Sequence, residues 1–285
     1  MADVASSLDD HHSRLIEVLR SYDSCAVAFS GGVDSAVVAQ AAQIALGKKA
    51  IAITGVSASL AEGELEAARA LAAQIGIRHE TILTDELSDT AYVQNAADRC
   101  YHCKTHLYDL MVAALPRLGV AVVAAGANTD DVGDYRPGMQ AATEHQVRSP
   151  LLECELGKSD VRALAQHWGL SVWDKPATPC LSSRIAYGEE VTPERLRMID
   201  AAERFLRDAG LTSVRVRYHH GDLARVEVSP EALPKLCEGE LREQLLSQLQ
   251  SLGFKYITLD LAGFRSGSQN EVLPLEVLQK PVEQA

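Results

Sequence analysis

Ser30-Gly31-Gly32-Val33-Asp34-Ser35 joins an apolar run, Cys25 to Phe29, to a helix-patterned one, Val33 to Leu46, that Gly47 closes. A glycine-rich turn between a strand and a helix exposes several backbone N–H groups together and aims the positive end of a helix dipole at whatever sits there. Ser30 and Ser35 add hydroxyl donors, and Gly31 and Gly32 let a large anion approach the backbone. The stretch contains no lysine and lacks the G-x-x-x-x-G-K-[ST] spacing, so it is not a Walker loop. A bare Asp34 carboxylate would repel phosphate unless a metal came with it. The residues therefore read as a pyrophosphate cradle, Ser30 to Ser35, with Asp34 as the Mg²⁺ ligand.

Outward from this turn the chain alternates strand and helix patterns. His11 to Arg20 is a helix. Ala50 to Thr54, Ile77 to Leu83 and Val120 to Ala125 are strands, separated by helices over Leu60 to Ile75 and Asn95 to Leu115. Lys158 to Gly169 is a further helix, and Ser171 to Trp173 a last short strand. This alternation predicts an α/β fold with a doubly wound parallel sheet, which binds ligands at the carboxyl ends of its strands. The loop after Phe29 lies at such an end. So does the polar stretch Gly126-Ala127-Asn128-Thr129-Asp130-Asp131, where Gly126 and Asn128 are candidate nucleotide contacts and Asp130 and Asp131 candidates for a second metal or for turn capping. The domain boundary is expected near Tyr187-Gly188, giving a domain over 1–187, a smaller α+β domain over 188–273 and a tail over 274–285. In the small domain, helices over Thr192 to Ala209 and Gly239 to Leu252 accompany strands over Ser213 to Tyr218, Leu223 to Val228 and Lys255 to Leu261. Arg215 and Arg217 fall on one face of the first of these strands, valines on the other. With Arg265 they are candidates for a phosphate contact, the alternative being a solvated face paired with acids such as Glu227.

Composition narrows the class. At 285 residues and 47% hydrophobic, the chain can bury a sizeable core. A net charge of −12 argues against broad nucleic-acid binding. No apolar run reaches the length of a membrane span, and the polar, acidic N-terminus is unlike a signal peptide. Six cysteines without a secreted-type framework fit a reducing cytoplasm as ligands, nucleophiles or buried residues. Cys25, Cys154 and Cys237 read as structural, and Trp168 and Trp173 as core. Cys180 differs, because it stands in a proline-framed turn, Lys175 to Arg184. There Arg184 and Lys175 can favour the thiolate, and Ser182 and Ser183 can orient an anion.

SGGVDS resembles the PP-loop of the ATP pyrophosphatases. Together with RCYHCK (99–104), GANTDD (126–131), GDYRPG (133–138), SPL (149–151), KPATPCLSSRI (175–185) and FRSGS (264–268), it resembles the LarE family across nearly the whole chain. These are pyridinium-3,5-biscarboxylic acid mononucleotide sulfurtransferases of nickel-pincer cofactor biosynthesis. The resemblance implies ATP and Mg²⁺ at Ser30–Ser35 and adenylation of a carboxylate of the pyridinium mononucleotide. Sulfur then displaces AMP to leave a thiocarboxylate. Arg215, Arg217 and Arg265, with Ser183 and Arg184, are then candidate contacts for the substrate phosphate in a cytoplasmic protein, and the resemblance suggests a homo-oligomer.

Two sulfur sources fit the resemblance. Cys180 can give up its own sulfur through a thioester and end as dehydroalanine. Alternatively Cys100, Cys103 and Cys180 hold a [4Fe–4S] cluster whose fourth iron carries a transferable sulfide. Thiolates at the C-x-x-C spacing, with His102 and His106 nearby, also suit zinc. Two other functions remain distinguishable by experiment: a PP-loop tRNA thiolase, which the acidic balance disfavours, and a non-catalytic nucleotide or metal sensor.

Overall fold

The computed structural model describes residues 2–133, 135–176, 178–265 and 268–274. Asp134, Ala177, Ser266 and Gly267 of the quoted motifs, and the expected tail from 275 onward, lie outside the described residues.

After α1 (Ala2–Arg20) come β1 (Cys25–Ala28), α2 (Val33–Leu46), β2 (Ala50–Val56), α3 (Glu64–Ile75) and β3 (Arg78–Leu83). A short α4 (Thr90–Val93) precedes α5 (Arg99–Leu118) and β4 (Val122–Ala124). The four strands form one parallel sheet in the order β3-β2-β1-β4, with Cys25 beside Ala50 on one side and Val122 on the other. The order reverses between β1 and β4, so the loops after these two strands splay apart and leave a crevice at the carboxyl edge. The cradle follows β1 and the Gly126–Asp131 loop follows β4, placing both predicted nucleotide segments at that crevice.

Burial on both faces explains the continuous apolar strands. Helix α2 is buried along most of its surface, from Val33 to Ala42, because it lies between the sheet and α1. On its far side it meets α8 (Lys158–His167), which follows α6 (Pro137–Glu144) and α7 (Pro150–Glu153). Residues 171–174 form a turn, not the expected fifth strand. Gln74 and Arg162 tie this segment to α3 and α8 through Gly169 O, Ser171 Oγ and Trp173 O, so it covers helices and does not extend the sheet. Trp173 is accordingly 40% exposed, whereas Trp168 packs against the core. Helices α3 and α5 start four residues later than the periodicity implies. Gly63 and Asn95 adopt left-handed backbone, with φ of 84° and 54°, and break the pattern there.

The second unit comprises α9 (Pro193–Asp208), β5 (Arg215–His219), β6 (Leu223–Glu227), α10 (Leu233–Cys237), α11 (Gly239–Ser251) and β7 (Tyr256–Leu259). Its sheet runs β5-β6-β7, antiparallel then parallel. Its apolar core takes in Tyr92, Leu181 and Ile185 from before residue 187, and Ile185 bridges Tyr218. The two units therefore interlock at the segment that carries Cys180. No helix of the described residues is long and apolar enough to cross a membrane.

Gly126 sets the tightest approach at the crevice. A Cβ there would stand 2.9 Å from Asp34 C and Ser35 N, both backbone atoms. Gly126→Ala is expected to destabilise the chain by about 1–3 kcal/mol through overpacking, measured by urea unfolding, with weakened ATP binding. An unchanged midpoint would contradict this packing.

Candidate active site

The cradle is internally organised. Gly31 takes φ 73°, a conformation that suits glycine, and a Cβ on it would lie 3.4 Å from that of Ala68. Ser35 Oγ accepts from Ser30 N at 3.2 Å and donates to Gly32 O at 3.1 Å, and Ser30 Oγ accepts from Gly32 N at 3.3 Å. These bonds hold the loop in a curved shape at the start of α2 and engage the N–H groups of Ser30 and Gly32 within it. Val33 is buried and anchors the helix beneath it.

Asp34 is the charged centre. Its Oδ2 accepts from Lys158 Nζ at 2.6 Å and its Oδ1 from Asn128 Nδ2 at 3.0 Å. Asn128 is itself fixed, because its Oδ1 caps Asp130 N and its own N–H donates to Asp131 Oδ2. Asp130 accepts from Lys158 N, and Asp131 pairs with Arg136 at 2.8 Å. Both aspartates therefore serve the turn rather than an open metal site. Lys158 was not among the expected residues. Its signal was its position, since a lysine in the first turn of a helix opposes the helix dipole and needs an anion nearby. The cation missing from the loop is supplied by α8.

The Cys180 turn hangs from the neighbouring strand. Leu181 N donates to Ser59 O at 2.9 Å, just beyond β2. Ser57 and Ser59 hydroxyls both donate to Glu86 Oε1, at 2.6 and 2.9 Å, and Glu86 is buried. Adjacent strands lie about 4.8 Å apart, so the cradle after β1 and this anchor after β2 share one edge of the sheet.

Three buried guanidiniums grip the turn's carbonyls. Arg184 Nη1 donates to Cys180 O at 3.0 Å and to Pro179 O, while Nε and Nη2 donate to the two oxygens of Glu203 at 3.0 and 3.3 Å. Arg99 Nη1 donates to Ser182 O at 2.8 Å. Arg217 Nη1 donates to Ser183 O at 3.1 Å and its Nη2 to Glu227 at 2.8 Å. Arg184 thus faces inward, 1% exposed and paired, instead of toward a phosphate. Ser183 Oγ donates to Cys180 O at 2.7 Å and likewise belongs to the turn.

The expected arginine face is present but buried. Arg215 donates to Val214 O at 2.7 Å and lies over the Phe264 ring at 5.0 Å. Burial, then the like charge of Arg184, pushes its guanidinium down to about 10. The Arg217–Glu227 pair matches the alternative weighed from sequence, and Arg225 adds a second cation on Glu227 at 3.2 Å. Arg265 is exposed beside Phe264; its neighbours Ser266 and Gly267 lie outside the described residues.

Cys100 and Cys180 are exposed and Cys103 is half-buried. Burial first, then the charge of Cys180, pushes the Cys103 thiol up to about 12, with a smaller contribution from Cys100. The three thiols are therefore electrostatic neighbours. Among the described residues, no three His, Cys, Asp or Glu side chains stand where a single ion could bind them. His102 and His106 instead turn to Asp89, at 3.5 and 3.4 Å. This arrangement does not match the mononuclear zinc reading.

The NAD synthase family matches residues 14–107 of the chain. The pyridinium-3,5-bisthiocarboxylic acid mononucleotide synthase of Lactiplantibacillus plantarum is 38% identical over 272 residues, which cover 94% of this chain and 96% of that protein. An uncharacterized protein of Synechocystis is 46% identical over 90% of this chain and 97% of its own length. Another, from Methanocaldococcus jannaschii, is 26% identical over 84% of this chain and 90% of its own.

Removing Glu203 leaves Arg184 as an uncompensated buried charge and frees Val216 N, which donates to the same carboxylate at 3.2 Å. Glu203→Ala is expected to cost about 3–5 kcal/mol in denaturant unfolding. A loss under about 1 kcal/mol would mean that the pair is solvated.

Proposed function

Because the chain belongs to the family of the pyridinium-3,5-bisthiocarboxylic acid mononucleotide synthases, we propose that it is an ATP-dependent sulfurtransferase that converts a carboxylate of a pyridinium mononucleotide to a thiocarboxylate. The observation that carries this reading is the shared sheet edge: the cradle after β1 and the anchor of Cys180 after β2 stand at the carboxyl ends of neighbouring strands.

A carboxylate is a poor acyl donor until one of its oxygens becomes part of a good leaving group. In the proposed reaction the substrate carboxylate attacks the α-phosphorus of ATP. The α–β bridging P–O bond breaks, and pyrophosphate leaves into the amides of Ser30 to Ser35. Lys158 stabilises the charge that develops on the phosphates, as an oriented cation does in a site with little water. Mg²⁺ typically uses one or two protein carboxylates plus phosphate oxygens, so Asp34 suffices as its protein ligand, and the ion would neutralise the pyrophosphate. Sulfur then attacks the acyl carbon and AMP departs. Arg215, which lies over the Phe264 ring, and Arg265, the next residue in the chain after Phe264, are the candidates for the substrate phosphate.

Cys180 is the proposed sulfur station. In the cluster reading Cys100, Cys103 and Cys180 act together. By donor set, three thiols with Arg99 and Lys104 close by fit a [4Fe–4S] cluster, and it would supply a transferable sulfide. If Cys180 instead gives up its own sulfur, its Sγ displaces AMP to form a thioester. Loss of the Cα proton with cleavage of the Cβ–S bond then leaves the thiocarboxylate and dehydroalanine. A cytoplasmic site of action accords with this thiol chemistry.

Pyrophosphate release from ATP on adding the pyridinium mononucleotide tests the reaction, and no release would leave the sensor reading. Cys180→Ser is expected to keep that release and abolish thiocarboxylate. The intact mass after turnover separates the sulfur sources: loss of one sulfur and two hydrogens means sacrifice, whereas an unchanged chain with bound iron means a cluster. Lys158→Met is expected to raise the KM for ATP about tenfold, the loss of one charge-assisted phosphate contact. An unchanged KM would assign Lys158 to structure alone.

A further inference from the structure

The spacing of the three thiols depends on a contact between two separate chain segments. Cys100 and Cys103 ride on the first turns of α5, and Cys180 sits in an irregular turn some eighty residues later. Arg99 spans the two. It is 4% exposed, and its guanidinium uses both arms. Nη1 donates to Ser182 O at 2.8 Å and to Asn95 Oδ1 at 2.5 Å, while Nη2 reaches Cys100 Sγ at 3.8 Å.

The bracket continues through Asn95, which is fully buried and held at φ 54°. Its Nδ2 donates to Ala186 O and Glu189 O, each at 2.9 Å, and its carbonyl accepts from Gly188 N at 3.1 Å. The segment following the Cys180 turn is thus stitched to the residues just before α5. Tyr92 closes the same seam by its 2.5 Å hydrogen bond to Ser182 Oγ. Arg99 is the member of this network that touches a thiol and the Cys180 turn at once.

We propose that Arg99 is the positioning residue of the sulfur centre: its fork, one arm on Ser182 O and the other on Cys100 Sγ, sets the C-x-x-C helix and the Cys180 turn at the spacing where the thiols act as one site. The proposal rests on the reading of Cys180 as the sulfur station. The two acceptors are served by different guanidinium nitrogens of one rigid plane, whereas a lysine presents all its N–H groups from a single flexible nitrogen. Donation to a sulfur also matches the way outer groups orient thiolate ligands in sulfur and metal centres.

The test uses the full-length chain without ATP or substrate, with Cys103 and Cys237 replaced by serine so that Cys100 and Cys180 are its exposed thiols. Dibromobimane fluoresces on bridging two nearby thiols, and monobromobimane labels each thiol alone. The parent is expected to form the Cys100–Cys180 bridge. Arg99→Gln is expected to lower the bridged fraction about fivefold, as for the loss of a buried charge-assisted bond, with single-thiol labelling unchanged. Arg99→Lys keeps the charge and folds more readily, and it is expected to give an intermediate value. Equal bridging in the parent and in whichever variant retains the parent's melting temperature would overturn the proposal, as would absence of a bridge in the parent. Anaerobic loading with iron and sulfide of the chain with all its cysteines intact supplies a second readout, iron retained per chain, expected to fall about tenfold in Arg99→Gln. If the cysteine-intact chain makes no thiocarboxylate while the bridging stays Arg99-dependent, the sulfurtransferase reading is overturned and this one stands.

Discussion

The Cys180 turn carries a single short 3₁₀ turn, Leu181–Arg184, which satisfies only part of its backbone, and that constraint organises the interface between the two units. The carbonyls of Pro179, Cys180, Ser182 and Ser183 point into protein rather than solvent, and buried carbonyls without donors are costly. Arg184, Arg99 and Arg217 supply those donors from three different elements. Each guanidinium then needs its own counter-charge or acceptor, and Glu203, Asn95 and Glu227 meet that need from α9, the residue run before α5, and β6. This one turn thereby recruits most of the buried charge among the described residues.

The anion site at the sheet's switch point follows a similar logic with a different supplier. The loop after β1 has the amides and hydroxyls to cradle phosphate but carries an aspartate where many phosphate loops carry a lysine. The positive charge comes from Lys158 at the head of α8, held over Asp34 while Asp130 accepts from its backbone N–H. Gly157, the residue before it, packs closely here: a Cβ would stand 2.9 Å from that same carboxylate of Asp130, which would have to shift. The loops after β1 and β4 and the start of α8 thus close on one another, and a cation delivered to Asp34 would meet an aspartate already ordered by two donors.

Much of this was legible in the residues. The run Cys25 to Phe29, the glycine turn and the periodic Val33 to Leu46 specify strand, cradle and helix by local rules that agree with one another. Parallel strands buried on both faces read clearly because they are uniformly apolar. The failures have physical causes. Ser171 to Trp173 has strand composition, yet its polar groups are taken by hydrogen bonds, Ser171 Oγ donating to Gln74 and Trp173 O accepting from Arg162, a tertiary effect that no local pattern reveals. Arg184 looked like a ligand residue because an arginine beside two serines suits an anion; its partner, Glu203, lies nineteen residues on in a helix. Arg99 and Asn95 escaped notice for the same reason, since their meaning comes from a turn far along the chain. The alternation of Arg215 and Arg217 was readable, but the burial of that face was not, because the strand pattern shows two faces and not what covers the second.

That covered polar face bears on why charges are used at all. Buried ion pairs seldom out-stabilise well-packed apolar side chains of similar size, once desolvation is counted. An apolar clamp on the Cys180 turn would still fail, because it has no donors for the carbonyls of Pro179 and Ser183, which the arginines serve. A guanidinium offers five N–H groups in a rigid plane, enough to hold several carbonyls and a carboxylate together. The result is a turn whose backbone is bonded from within while the Cys180 side chain stays exposed. A thiol that must meet an acyl group needs this combination, a fixed main chain and an open sulfur. Helical or sheet backbone would satisfy its own hydrogen bonds, but it would also bring the regular neighbours that crowd a side chain. The irregular turn, gripped by arginines, leaves the sulfur reachable at the edge where the β1 and β2 loops meet.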